Sequence, residues 1–137
     1  VARSPYYNKV MIYSLDRLLH LEVLANEQFK MPDSFNPTEF FNEYYGVIID
    51  SDFDVEKVKL KVSASQANYL RSLPLHHSQQ EIQTTDEYSI FELRIRPTFD
   101  FYQEILHNGE DMEVLEPLWL RKEIARKIEK MWDKYKS

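Results

Sequence analysis

His76 and His77 stand side by side and are followed by Ser78, a grouping of imidazoles and a hydroxyl that invites a chemical reading. Adjacent side chains point to opposite faces of a strand and diverge by about 100° on a helix, so the pair does not readily share one metal ion. The other two histidines, His20 and His107, lie far from metal-motif spacing. A structural or partner-contacting role is therefore favoured over a ligand pocket, and no metal site is expected. A Ser78 nucleophile is disfavoured, because sequence neighbours rarely form the Ser–His hydrogen bond and no oxyanion loop accompanies them. Asp50, Asp52, Asp54 and Glu56 open like a calcium loop. The places where that loop needs Gly and Glu hold Val55 and Lys61, so a solvated tether is expected instead.

Composition removes other chemistries. The chain has no cysteine, which excludes disulfides, zinc–thiolate sites, iron–sulfur clusters and thiol catalysis. Its only glycines are Gly46 and Gly109, too few for a phosphate-cradling loop of the Walker or dinucleotide-binding kind. The formal charge of -6 argues against broad, non-specific DNA binding. Apolar residues make up 43% of the 137 positions, enough to bury a core and to exclude disorder for most of the chain. No apolar run approaches the ~20 residues that cross a bilayer, and a soluble, cytoplasmic protein is expected. The chain begins at Val1 with a strand-like piece, and is read as the C-terminal part of something longer.

The elements that must position these groups follow from pattern. Val1-Ala2-Arg3, Val10 to Tyr13 and Leu18 to Leu24 read as strands, with a hairpin turn over Ser4 to Lys9. Ala25 to Phe35 reads as extended loop. Asn36 is a good N-cap and Pro37 suits the first helical position, so a short helix is expected there. It carries Phe40, Phe41, Tyr44 and Tyr45 and ends at Gly46. Val58, Leu60 and Val62 alternate with Lys57, Lys59 and Lys61, the rhythm of a half-buried strand. Ser63 to Gln66 has capping-box spacing and opens a helix through Leu73, which Pro74 stops. A strand pair is expected over Gln80–Thr84 and Tyr88–Arg96, with Phe91, Leu93 and Ile95 on one face. A helix starting in the stretch Pro97 to Asp100, with Gln103 three residues beyond Asp100, runs to Asn108-Gly109; Met112 to Leu115 is a short strand, and Pro117 starts the last helix. That helix bears an apolar stripe of Leu120, Ile124, Ile128, Met131 and Tyr135, with Trp132 beside it. From Leu118 onward seven Lys+Arg face three acids, a charge of +4 against -10 for the rest of the chain. An ordinary solvated face, with pairs such as Glu123–Lys127, is favoured over an acidic or nucleic-acid partner. The fold class is thus α+β, with a β-α-β-β-α-β, ferredoxin-like order and a C-terminal helix.

Several segments together resemble one family. Tyr13-Ser14-Leu15-Asp16-Arg17-Leu18 resembles the strand that closes the WYL domain. Phe35-Asn36-Pro37 through Gly46-Val47-Ile48-Ile49 resembles the helix and strand that leave it. Tyr69 through Gln79 resembles the first helix of the WCX extension, and Val114-Leu115-Glu116-Pro117 with Leu120-Arg121 resembles its end. Members are mostly bacterial transcription regulators with an N-terminal winged helix-turn-helix, a WYL domain built as an Sm-like (SH3-like) barrel, and a WCX domain.

The resemblance implies residues 1–49 as the C-terminal part of a WYL domain, 50–56 as linker and 57–137 as WCX. The helix-turn-helix and the Trp-Tyr-Leu tripeptide are not in this sequence, so the barrel strands are expected to be partial. It further implies effector sensing and homodimerisation without catalysis, cofactor or membrane. The effector would be a nucleic acid or a nucleotide-like small molecule, and operator DNA would be read only by the absent N-terminal domain. Arg17 is the implied effector-binding residue; Arg3, which would follow the missing tripeptide on the same strand, is a second candidate, and Arg71 and His76 are WCX-side contributors. An arginine fork on a barrel strand can hold a phosphate bidentately. Two alternatives stand beside this reading: a stand-alone oligomerisation module, or a small metal-binding or enzymatic α/β domain using the His76-His77 region.

Overall fold

The computed structural model describes residues 2–4, 6–7, 9–26, 28, 33, 35–46, 48 and 54–136. The chain divides into two compact units, Val1–Phe40 and Phe41–Ser137.

In the first unit, β1 (Ala2–Ser4) pairs antiparallel with β2 (Lys9–Met11), with Arg3 opposite Val10. The backbone N–H of Tyr7 donates to the Ser4 hydroxyl at 3.3 Å and tightens the turn; Pro5 and Asn8 of that turn lie outside the described residues. The expected strand through Tyr13 stops at Met11. Leu18 to Leu24 is not a strand: Leu19, Leu21 and Val23 are 82–89% exposed, and apolar alternation without a covering layer or a pairing edge does not hold a strand. Leu15–Arg17 forms a single 3-10 turn instead. Much of the expected loop, residues 27, 29–32 and 34, lies outside the described residues.

Asn36 caps α1 (Pro37–Phe41) as its residue type demands, accepting from the N–H groups of Thr38 at 3.0 Å and Glu39 at 3.4 Å. The helix ends four residues before the expected Tyr45. The Arg96 N–H takes the Glu43 carbonyl at 2.6 Å and Tyr44 forms a parallel bridge with Arg96, so tertiary backbone pairing replaces the continuing helix.

The second unit follows the expected β-α-β-β-α-β order: β3 (Glu56–Ser63), α2 (Ala64–Ser72), β4 (Gln80–Thr84), β5 (Tyr88–Ile95), α3 (Phe99–Asn108), β6 (Met112–Glu116) and then α4 (Leu118–Tyr135). The sheet runs β4-β5-β3-β6, each neighbour antiparallel. Strand alternation sorts the faces. Val58, Leu60, Val62, Phe91, Leu93, Ile95 and Val114 are buried against Ala67, Leu70, Phe101, Ile105, Leu120 and Ile124 of the helices. The opposite face carries ion pairs of Lys57 with Glu92 and of Lys59 with Glu116, both at 3.1 Å, and Lys61 over the Tyr88 ring. Ser63 caps α2 through the Gln66 N–H, as its spacing predicts. The N-cap of α3 is Thr98, and Asp100 lies inside the first turn. The α4 stripe divides: Leu120 and Ile124 are buried, whereas Ile128, Met131, Trp132 and Tyr135 are exposed. Residues 50–53 of the expected tether lie outside the described residues.

Candidate functional site

The implied effector residues fall on both units. In the first, Arg17 closes the 3-10 turn, its N–H donating to the Ser14 carbonyl at 3.2 Å. The Ser14 hydroxyl donates to Asp16, so that carboxylate is held locally, and among the described residues Arg17 forms no ion pair. Arg17 is exposed, on a turn and not on a strand as the resemblance implied. Among the described residues nothing occupies its planar donor fork, the state from which a phosphate or carboxylate can be taken bidentately. Arg3 occupies the middle of β1.

In the second unit, Arg71 projects from the last turn of α2 into an internal network. Its Nε and Nη2 donate to the two Glu81 oxygens at 3.0 and 2.6 Å, its Nη1 to Asn68 at 2.7 Å, and its Nη2 also to the Ser89 hydroxyl at 3.0 Å. These bonds, Arg71 first, then Thr84 and Ser89, draw the Glu81 carboxyl down to about 2. The fork ties α2 to β4 and β5.

His76 is buried in the α2–β4 loop. The Ser78 N–H donates to its Nδ1 at 3.2 Å, which makes Nδ1 the acceptor and leaves the ring proton on Nε2. The Ser–His contact that forms is with His76, two residues back, and not with the adjacent His77: Ser78 Oγ lies 2.7 Å from His76 Nδ1. The hydroxyl is no free nucleophile. It also accepts from the Arg94 N–H at 2.9 Å and lies 3.2 Å from the Arg94 carbonyl, so it staples the loop to β5. Burial, and then the neighbouring His77 ring 4.0 Å away, push the His76 imidazole below its usual range, with the Asn42 carbonyl opposing. Among the described residues no group of three or more His, Asp or Glu is placed to hold a metal ion.

Pattern reasoning missed the contacts that Glu43, Tyr45 and Ile48 make within the second unit. The Glu43 carboxylate pairs with the Arg96 guanidinium at 2.9 Å, Tyr45 donates to Glu104 at 2.7 Å, and the Ile48 N–H donates to Asp100 at 3.0 Å. Burial, and then the Glu104 bond, raise the Tyr45 phenol. Gly46 sits at φ +79, where a Cβ would run into the Asp100 carboxylate. The only hint in the sequence was the crowd of aromatics around Tyr44 and Tyr45; the acidic partners of Tyr45 and Ile48, Glu104 and Asp100, are more than 50 residues away.

The sequence matches the WCX domain over residues 54–132. No curated protein matches it. The match spans β3 through most of α4 and leaves out the Glu43–Ile48 segment, although that segment lies in the same compact unit. More than half of the chain is thus the mixed, four-stranded antiparallel unit described above, and the chain belongs to the WCX domain family.

Proposed function

We propose that the chain is the effector-sensing and pairing region of a helix-turn-helix transcription regulator of the WYL type, whose DNA-reading domain lies elsewhere. The observation that carries this is the WCX match, because WCX domains accompany WYL domains in transcription regulators. In this reading residues 1–49 are the end of the WYL domain, with β1 and β2 as strands of its Sm-like barrel; 50–56 are the linker; and 57–137 are the WCX domain. The β4-β5-β3-β6 order with two crossover helices supports a ferredoxin-like sandwich for the WCX part. The function is regulatory and not enzymatic.

Arg17 is the proposed anchor for a phosphate-bearing effector, a nucleic acid or nucleotide-like molecule, supported by its exposure and by its forming no ion pair among the described residues. Arg3 is the proposed second contact. Arg71 and His76 would serve on the WCX side, and Arg71 would have to exchange Glu81 for ligand. Binding would shift the relation between paired WCX domains and hence the spacing of the DNA-reading heads. The test is titration of the longest available form with short single-stranded oligonucleotides and nucleotides, read by fluorescence anisotropy. Arg17→Ala should weaken binding at least about tenfold, the loss expected for a charge-assisted bidentate pair. Unchanged affinity would remove Arg17 from the site. A second reading, a pairing module with no ligand, is favoured by the exposed apolar end of α4.

A further inference from the structure

The start of α3 lacks the device that starts α1 and α2. Asn36 and Ser63 each accept an N–H of the first turn they open. Thr98, the N-cap of α3, takes none. Its side chain is wholly buried, and among the described residues its Oγ1 has no hydrogen-bond partner. Leaving a buried hydroxyl unpaired forfeits its hydration, so such groups are rare in native structures and call for an explanation.

A strap, residues 43–46, holds that end of α3 from outside, and its bonds bracket Thr98. On one side Arg96 donates its N–H to the Glu43 carbonyl and its guanidinium to the Glu43 carboxylate. On the other side Asp100 accepts the Ile48 N–H and fits against Gly46, which is at φ +79. Tyr45 bonds Glu104 and sets its ring edge-to-face against the buried Phe101, 5.6 Å between centroids. With residues 96 and 100 both pinned, the turn between them is fixed, and the Thr98 N–H donates back to the Arg96 carbonyl at 2.8 Å. The seat is thin: a few polar bonds and one aromatic contact, with the Glu43 side chain half exposed. Segments held this way open locally at far lower cost than a sheet core.

We infer that the strap and the Thr98 cap are alternatives, so that the second unit switches between a seated strap with Thr98 uncapped and a released strap with the Thr98 hydroxyl closing the first turn of α3. Thr98 already has the extended backbone of an N-cap, φ -77 and ψ -178, so only its side chain has to turn. Release loses the strap's bonds and gains a helix cap. Each state thus has interactions that the other lacks, as a two-state element requires. The strap is also the stretch by which the chain enters this unit, so a pull from the preceding residues reaches it first. The inference goes beyond the proposed function and does not depend on it: a chain that binds no oligonucleotide would still switch.

Hydrogen exchange of the isotope-labelled 137-residue chain, followed amide by amide by NMR, tests it. The Ile48 and Arg96 N–H groups report on the strap, and those of Leu60 and Leu93 report on the sheet. In the parent the two strap amides should share one opening constant, at least about 100-fold larger than that of the sheet. Thr98→Val keeps the shape and removes the hydroxyl. It relieves the seated state of an unpaired group and deprives the released state of its cap. Exchange at Ile48 and Arg96 should therefore slow by about fivefold or more. Thr98→Ser keeps the hydroxyl and should not slow it. Tyr45→Phe keeps the ring, loses the Glu104 bond, and should speed it by about fivefold. Strap amides that open only together with the sheet would overturn the inference. So would a strap whose exchange Thr98→Val leaves unchanged or speeds, or one that Thr98→Ser slows as much as Thr98→Val does.

Discussion

His76 shows how one side chain sets a pH dependence. Its imidazole is held neutral by burial and by the Ser78 N–H donating into Nδ1. Its folded pKa lies below the ordinary 6.5, so the unfolded chain takes the proton first as pH falls. Stability should therefore decline as pH drops through 6.5, and His76→Gln should flatten that decline in urea titrations between neutral pH and pH 5.5. A wild-type slope retained in the variant would show that another group is responsible. Glu81 acts in a separate window. Its folded pKa is depressed from 4.5 to about 2, so its contribution is present above 4.5 and lost as pH falls through about 2. Glu81→Gln should blunt the acid limb and leave the slope near 6.5 alone. The types His76, Ser78 and Arg71 could be read off the sequence. That Ser78 binds Arg94 and that Arg71 binds Glu81 could not, because those partners come from strands placed only by the fold.

Among the elements, local signals and tertiary ones divide cleanly. Ser63 at the start of α2, Asn36 at the start of α1 and Gly109 at the end of α3 do what their residue types dictate within a turn of chain. Ser63→Ala should cost about 1 kcal/mol in equilibrium unfolding, and Ser63 also binds Asp111 at 2.6 Å, so a smaller loss would count against the cap. The Glu43–Ile48 segment depends on distant partners. Gly46→Ala combines a φ of +79 with a clash against Asp100, and should cost about 1–3 kcal/mol. It should also expose the segment to limited proteolysis while the WCX core stays intact. A neutral Gly46→Ala would mean that the segment does not need this geometry. The misread strand over Leu18 to Leu24 has the converse cause: its apolar pattern was present, but no layer covers it.

For the molecule as a whole, stability resides in the WCX unit. Leu60 and Phe101 are wholly buried between sheet and helices, and truncation of either to Ala should cost about 2–5 kcal/mol by urea denaturation. Val23→Ala, at a position 89% exposed, should change stability by no more than about 0.5 kcal/mol. Equal losses at both places would contradict the burial described here.

The sequence by itself determined the order of elements from Glu56 onward, the inward faces of β3 and β5, the helix starts at Asn36 and Ser63, and the exclusion of thiol and phosphate-loop chemistry. Periodicity and capping act over a few residues and are written in the chain. Tertiary structure alone decided that β3 sits between β5 and β6, that Glu43 and Tyr45 are tied to Arg96 and Glu104, and that α4 is apolar on a face its own body covers only to Ile124. Those outcomes depend on which surfaces meet across tens of residues, and no local pattern encodes that meeting.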